Sequence, residues 1–251
     1  MIIMVKPSLN INQPNGETTM SMFSDIQTPQ NVTEEKDVLG GGFKPLETDV
    51  YLATIKHAYG SVAQSGAKAV NFEFELEDGR KYRETLYVTN REGKPTYTSQ
   101  KGEVNYLPSY TIVDGIALFT TQKPLNEQST EPRVINLYDF IAGKELPKEV
   151  PMLMDMVGKQ VKLAISLNLV DKTAKNDNTG KYEPTGETKE ENSITKVFHP
   201  VNNKTVPEVK ASQEASFHDA WLVKNKGQVF DKTSKTKPST STKTTTSSLF
   251  A

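Results

Sequence analysis

Basic and aromatic side chains are interleaved between residues 80 and 101. The basic residues are Arg80, Lys81, Arg83, Arg91, Lys94 and Lys101, and the tyrosines are Tyr82, Tyr87 and Tyr97. Only Glu84 and Glu92 oppose this positive charge. Cations hold phosphates while flat rings stack on unpaired bases of any sequence, so the mixture is typical of a surface for single-stranded nucleic acid. The alternative is a solvated strand whose arginines pair with Glu73 and Glu75.

The same side-chain types recur at two other places. His57 and Tyr59 lie at the end of the first predicted strand and could flank the same groove, although His57 is more simply explained as a half-buried residue. Lys56 fits either a binding role or a solvated surface position. Tyr182 lies in a polar loop predicted over 171–187. Such a loop could close over a bound strand from the other side of a barrel, or it could be an ordinary exposed loop.

Motifs for nucleotide hydrolysis and thiol chemistry are missing. The chain has no cysteine, which excludes disulfides, thiol catalysis and cysteine-based zinc sites. The glycine run 40–42 and the pair Gly158-Lys159 lack the Gly-Lys-Ser/Thr ending of a phosphate loop, and no helix follows them. No Ser-His-Asp arrangement with supporting turn residues is found. We therefore predict no catalytic residue and no cofactor.

Three glutamates alternate along one predicted strand face. They are Glu73, Glu75 and Glu77. Carboxylates in this pattern could bind a divalent metal for nuclease chemistry. Outward glutamates that pair with Lys81 and Arg83 explain the same pattern without a metal, so we predict no metal site.

The elements that must position these residues are mainly strands. Residues 50–59 are rich in β-branched and aromatic residues, and 80–89 form a further strand after Asp78-Gly79. Residues 69–76 alternate apolar with polar side chains. The apolar residues of this segment are Val70, Phe72, Phe74 and Leu76.

The turn between the second and third strands decides which residues pair. A three-residue loop over 77–79, with its glycine left-handed, places Glu73 opposite Arg83, whereas a two-residue turn pairs Glu73 with another glutamate. Matched cross-strand pairs contribute about 0.2–1 kcal/mol each, so the three-residue loop is favoured. The same register sets Phe74 opposite Tyr82, which we place in the core.

The order of the remaining elements indicates a barrel. A helix is predicted over 109–121, and strands follow at 134–140, 161–170 and about 192–198. Three strands, a helix and further strands match a five-stranded Greek-key OB barrel, which has its helix between strands three and four. A short helix over 213–224 carries Phe217 and Trp221 four residues apart. The predicted fold is mainly β, OB-fold-like, with one inserted helix, a short C-terminal helix and disordered ends.

Composition predicts one modest core with flexible ends. Apolar residues make up only 35% of the 251 residues, and the net charge is −1. No stretch approaches the roughly 18–20 apolar residues of a membrane span, and no secretory signal is evident, so an intracellular soluble protein is expected. The predicted regions are a flexible arm over 1–37, a barrel domain over 38–200, a linker with a short helix over 201–230, and a disordered Ser/Thr/Lys-rich tail over 231–251.

Several segments together resemble a known family. They are LGGGF at 39–43, DVYLATIK at 49–56, YRETLYVTN at 82–90, VGKQV at 157–161 and ENSITKVF at 191–198. In spacing and order they resemble the single-stranded DNA-binding proteins of lytic tailed bacteriophages, above all those of podoviruses that carry a large virion RNA polymerase. The resemblance covers about 38–200 and continues more weakly to the helix of Trp221.

The resemblance implies a function and a set of partners. It implies a non-enzymatic OB-fold protein that binds and protects single-stranded DNA, without strong sequence preference, during phage DNA replication and recombination in the host cell cytoplasm. Implied protein partners are a phage DNA polymerase or helicase, or host RNA polymerase, and no membrane is involved. The alternatives are a transcription or replication adaptor that recruits a polymerase and, with less support, a metal-dependent nuclease.

The C-terminus departs from the family pattern. Family members often end in an acidic tail with an aromatic tip that recruits partners. Here the segment from 231 onward holds four lysines and one acid, while the apolar tip is kept as Leu249 and Phe250. These two residues are the predicted partner-binding residues.

The predicted nucleic-acid-binding residues combine phosphate-holding cations with base-stacking tyrosines. They are Lys56, Tyr59, Lys81, Arg83, Tyr87, Arg91, Lys94, Tyr97, Lys101, Lys159 and Tyr182. Tyr87 shares a strand face with Lys81 and Arg83, because alternate residues of a strand point to the same side. A tyrosine that points away from the core has no packing reason to be aromatic, whereas a stacked base supplies one.

Overall fold

Residues 44–139, 141–177 and 179–234 are described by a computed structural model. In this part of the chain the structure is mainly β, with antiparallel sheets and few helices. The predicted arm over 1–37, most of the predicted tail, and Leu249 and Phe250 lie outside the described residues.

The elements follow one another as three strands, a small hairpin, a helix, four long strands and a helical C-terminal region. They are β1 (Asp49–Val62), β2 (Lys68–Leu76), β3 (Lys81–Tyr87), β4 (Thr96–Thr98), β5 (Val104–Tyr106), α1 (Pro108–Thr121), β6 (Glu131–Asp139), β7 (Lys144–Met152), β8 (Gln160–Lys175), β9 (Tyr182–Phe198), α2 (Val206–Lys210), α3 (Phe217–Asn225) and β10 (Val229–Asp231). Short 3-10 turns lie at Leu125–Glu127 and Met154–Met156.

The main sheet is organised around β1. On one edge β1 begins an antiparallel meander with β2 and β3, and on the other edge it pairs with β8, which in turn pairs with β9. Beyond β8, the far end of β1 meets β7, which pairs with β6. The described part of this sheet has eight strands rather than the five predicted, because β6, β7 and β10 extend it.

The predicted register of the β2–β3 hairpin is confirmed. Glu73 pairs with Arg83 and Phe74 with Tyr82 across the two strands. The loop is closed by a hydrogen bond from Leu76 N to Arg80 O (2.8 Å), and Gly79 adopts a φ of +82°. A left-handed residue at this position strains any side chain, so the glycine permits the three-residue loop.

The core lies between the meander, α1 and β8. The alternation predicted for β2 is confirmed, since Val70, Phe72, Phe74 and Leu76 are all buried. Phe74 is fully buried and its ring stacks on Phe72 (centroids 5.1 Å apart) and on Tyr82 (6.4 Å). Buried residues from α1 and β8 complete this cluster, namely Val113, Ile116, Ala117, Val161, Leu163 and Ile165.

The polar segment predicted as a loop over 171–187 is mostly strand. Strands β8 and β9 continue together as a two-stranded ribbon, and only 176–181 connect them. Nearly all side chains of the outer ribbon are exposed on both faces. The prediction was wrong because a ribbon with two solvent faces has no apolar alternation, although its backbone groups still pair.

The C-terminal region packs on the sheet. Residues 201–230, predicted as a linker with a short helix, hold α2, α3 and β10. Trp221 on α3 is buried against Ala164 and Phe198. Strand β10 pairs in parallel with β8, and the chain then follows β8 to Ser234, whose backbone N–H donates to Asp171.

A carboxylate connects β3 with β9. Oε2 of Glu84 accepts hydrogen bonds from the Tyr82 hydroxyl (2.6 Å) and from the backbone N–H of Ile194 (2.9 Å). Burial raises the pKa of the Glu84 carboxyl above its usual range. The two edge strands are thus joined through a side chain.

Glu84→Ala should lower the free energy of unfolding by about 1–3 kcal/mol, because it leaves two buried donors without an acceptor. Glu84→Gln keeps an acceptor oxygen and should cost less than about 1 kcal/mol. Since the folded-state pKa is raised, the folded protein holds more protons, and stability of the wild type relative to Glu84→Gln should fall as pH rises through that pKa. Urea denaturation at several pH values measures both effects, and equal losses in the two variants would contradict this role.

Candidate nucleic-acid interface

The outward face of the β1–β3 meander carries rows of side chains set by the strand register. One row joins His57, Glu73 and Arg83. The row that ends at Tyr87 begins at Ser61 on β1 and crosses Ala69. Between these rows, Tyr59, Asn71 and Thr85 lie side by side. Cations and tyrosines therefore share one surface, which faces away from the core.

A β-bulge at Lys56 turns part of β1 toward this surface. The β1–β2 register shifts between Ile55 and His57, and both Ile55 and Ala58 are buried. An extra residue in one strand shifts the side-chain alternation that follows. Without the bulge, Tyr59 would share the core face of Ile55; with it, Tyr59 and His57 share the outward face with Glu73.

Glu73 lies within 4.0 Å of three basic side chains of this face. Its Oε2 accepts a hydrogen bond from Arg83 Nε (2.8 Å) and lies 3.7 Å from His57 Nδ1, and its Oε1 lies 3.9 Å from Lys81 Nζ. The Glu73 side chain is 15% exposed and that of Arg83 is 66% exposed. The ion pair engages Nε, while a guanidinium has five N–H donors in a planar fork. Glu73 thus orients Arg83, and most of the Arg83 side chain remains exposed to solvent.

The β6–β7 hairpin stands beside this face and forms a cleft of about 230 Å³ with it. Tyr59, Glu73 and Arg83 line one wall, and Leu137 and Tyr138 of β6 contribute to the other. Partial burial raises the pKa of the Tyr59 phenol, so its hydroxyl remains protonated at neutral pH. The sequence pattern predicts a strand at 134–140 but does not indicate that its residues belong to a site, because nothing local shows what a hairpin lies against.

The structure brings together five of the eleven predicted binding residues. Tyr59 and Arg83 line the cleft, while Lys56, Lys81 and Tyr87 lie on the same three strands. Lys56 is bonded to Glu75 (3.3 Å). Tyr87 is 50% exposed, as its outward position predicts.

The other six predicted residues do not line this cleft. Arg91 and Lys94 lie in the turn after β3, where Lys94 pairs with Glu92 (3.2 Å). Tyr97 and Lys101 belong to the β4–β5 hairpin, which forms a separate two-stranded sheet. Lys159 precedes β8, and the exposed Tyr182 begins β9 at the tip of the ribbon.

Comparison with known proteins adds no relative to these observations. No protein-family model matches the chain, and no curated protein is significantly similar to it. Any function assigned to this face therefore rests on its own side chains.

Two of the three alternating glutamates form ion pairs with basic side chains. Glu73 bonds Arg83 and Glu75 bonds Lys56. Among the described residues, no three His, Asp or Glu side chains are placed to share a metal ion. Within the same residues, no helix is long and apolar enough to cross a membrane.

Proposed function

We propose that this protein binds single-stranded DNA along the outward face of β1–β3. The observation that carries the proposal is the shared surface of Arg83, Tyr59 and Tyr87, bounded by the cleft under the β6–β7 hairpin. Arg83 holds a phosphate through the guanidinium donors outside its ion pair with Glu73. The rings of Tyr59 and Tyr87 offer stacking faces for unpaired bases, which a duplex does not present.

We further propose that the described strands form an OB barrel. The meander of β1, β2 and β3 supplies strands one to three, and α1 follows before β8. Strand β8 pairs with β1 and β9 pairs with β8, as strands four and five of an OB barrel do. The hydrogen bond between Glu84 and Ile194 supports closure between β3 and β9. In this arrangement, β4–β5 and β6–β7 are insertions before strand four.

Such a barrel is suited to coating single-stranded DNA. The outward side chains of β3 that include Lys81, Arg83 and Tyr87 are exposed, so stacking and phosphate contacts, which need no particular base edge, carry the affinity. The proposed role is protection of single strands during phage DNA replication and recombination, in the host cell, without catalysis.

Tyr87→Ala should weaken binding of fluorescent oligo-dT by about 1–3 kcal/mol, because it removes a stacking face. The half-exposed ring contributes little to the core, so the melting temperature should barely change. Fluorescence anisotropy and thermal denaturation measure the two quantities.

The matched control is Tyr87→Phe, which keeps the ring and loses only the hydroxyl. It should bind as tightly as the wild type. A sharp drop in melting temperature for Tyr87→Ala, with unchanged affinity of the folded protein, would show that Tyr87 is a packing residue and would overturn the proposed surface.

A further inference from the structure

A second cleft lies between α1, α2 and β9. Its volume is about 560 Å³, and it shares no lining residue with the cleft under the β6–β7 hairpin. We call it the α1–β9 cleft. Its lining includes Tyr106 at the end of β5, Tyr110 of α1, Lys196 of β9 and Lys210 of α2.

Two tyrosines form a stack at this cleft. The rings of Tyr106 and Tyr110 have centroids 5.1 Å apart and planes inclined by 15°. Tyr110 is half-buried and packs against the core, whereas Tyr106 is 57% exposed. Tyr110 therefore anchors the stack on the core, while the ring of Tyr106 is exposed to solvent. A further flat group can stack on the Tyr106 ring.

The charge of the α1–β9 cleft is positive. Lys196 and Lys210 line it, and neither lies within 4.0 Å of a carboxylate of the described residues. Asp114, the one acidic residue among the described residues that line this cleft, accepts a hydrogen bond from Leu125 N (2.8 Å). In the cleft under the β6–β7 hairpin, by contrast, Arg83 lines the wall together with Glu73, Glu84 and Glu145.

Lys196 contacts an aromatic ring and forms no ion pair with the part of the chain that the structure describes. Its Nζ lies 5.2 Å from the ring centroid of Phe217. A cation over an aromatic ring keeps its full charge, since the ring supplies no countercharge. The ammonium group is therefore not neutralised by this contact.

We propose that the α1–β9 cleft is a second binding site for single-stranded DNA, in which a base stacks on Tyr106 and the flanking phosphates contact Lys196 and Lys210. This inference rests on the proposed function and extends it from one surface to two. A strand long enough to reach both sites binds more tightly than either site alone allows, because the second contact is intramolecular.

The test compares variants of the full chain on a fluorescent oligo-dT of about 30 nucleotides, which exceeds the 4–16 nucleotides that one OB fold covers. Tyr106→Leu keeps an apolar side chain against Tyr110 and removes the flat ring. We expect it to weaken binding about five- to 100-fold, while Tyr106→Phe binds as the wild type does. Lys210→Ala should make the salt dependence shallower by about one contact. Lys224→Ala, an exposed lysine of α3 outside the cleft, should leave it unchanged.

Four outcomes would overturn the second site, and the last of them would also overturn the first. Normal affinity of Tyr106→Leu, with Tyr87→Ala impaired, would leave the proposed function standing and remove only this inference. A lowered melting temperature in both Tyr106 variants, with unchanged affinity of the folded protein, would reduce Tyr106 to an anchor of its hairpin. Displacement of the oligonucleotide from the Tyr87→Ala variant by millimolar thymidine monophosphate would assign the cleft to free nucleotides. Failure of the wild type to bind any single strand would end both proposals.

Discussion

Replacing Glu208 with alanine should lower the free energy of unfolding by about 3–5 kcal/mol. The Glu208 side chain is buried and joins the starts of two helices. Its Oε2 completes the capping box of α2 by accepting from Thr205 N (2.8 Å), and its Oε1 accepts from Ser216 N (2.9 Å) and Phe217 N (2.8 Å) at the start of α3. Alanine leaves these three backbone donors without an acceptor and removes a negative charge that favours both helix N-termini. Urea denaturation measures the loss.

The Glu208 carboxylate should make the free energy of unfolding depend on pH. Burial opposes ionisation of Glu208, but the hydrogen bonds from Thr205, Ser216 and Phe217 outweigh it and lower the pKa from 4.5 to about 2. Because the folded-state pKa is the lower one, the unfolded state binds the proton first. The contribution of Glu208 is therefore complete above about pH 4.5 and is lost as pH falls toward 2. The stability gap between the wild type and Glu208→Ala should narrow across that window.

Glu214→Ala is the matched control for Glu208. The Glu214 side chain is 98% exposed, and its Oε2 lies 4.0 Å from Lys204 Nζ. Exposed ion pairs contribute little, so this variant should stay within about 0.5 kcal/mol of the wild type at every pH. Similar losses in both variants would mean that Glu208 does not organise the two helices.

Raising the salt concentration from about 50 to 200 mM should weaken single-strand binding by about 60- to 4,000-fold. This range follows from a log–log slope of about −3 to −6, as expected if four to eight phosphates are neutralised. Duplex DNA should bind poorly, since the chain has a net charge of −1 and its basic residues are local. Titrations of oligo-dT and duplex at two salt concentrations give both results, and equal affinity for the two would rule out a single-strand groove.

Arg83→Ala should flatten this salt slope by about one contact. Arg80 offers a matched control three residues away, because its guanidinium is bonded to Asp78 (2.6 Å) at the β2–β3 turn and lies over the ring of Tyr51. Arg80→Ala should leave the slope unchanged. A slope that responds equally to both substitutions would point to general charge rather than to a site at Arg83.

Side-chain alternation and turn residues were enough to predict the pairing in the meander. Alternation along 69–76 identified the buried face of β2, and the glycine at 79 specified the loop, so the pairing of Glu73 with Arg83 and the burial of Tyr82 could be predicted. Both signals act within a few residues, because side-chain alternation and turn geometry are properties of the local backbone. The outward position of Tyr87 followed from the same alternation.

Side-chain alternation did not predict the strands whose two faces are both exposed to solvent. The outer halves of β8 and β9 carry polar side chains on both sides, and β7 is exposed except for the half-buried Leu146 and the buried Val150 and Met152, so no sustained period marks these strands. The small β4–β5 hairpin was missed for the same reason, since its side chains are almost all exposed. The cleft under β6–β7 and the Tyr106–Tyr110 stack depend on these hairpins.

By itself, the sequence determined a mainly β chain, the register of its first hairpin and the face that carries Arg83 and Tyr87. Only the tertiary structure decided that a bulge at Lys56 turns Tyr59 outward and that Glu208 serves two helices. It also decided that Glu84 bonds Ile194, 110 positions away in the chain. The physical reason is one of range: alternation and turns are set by neighbouring residues, whereas these contacts exist only once distant segments have packed against each other.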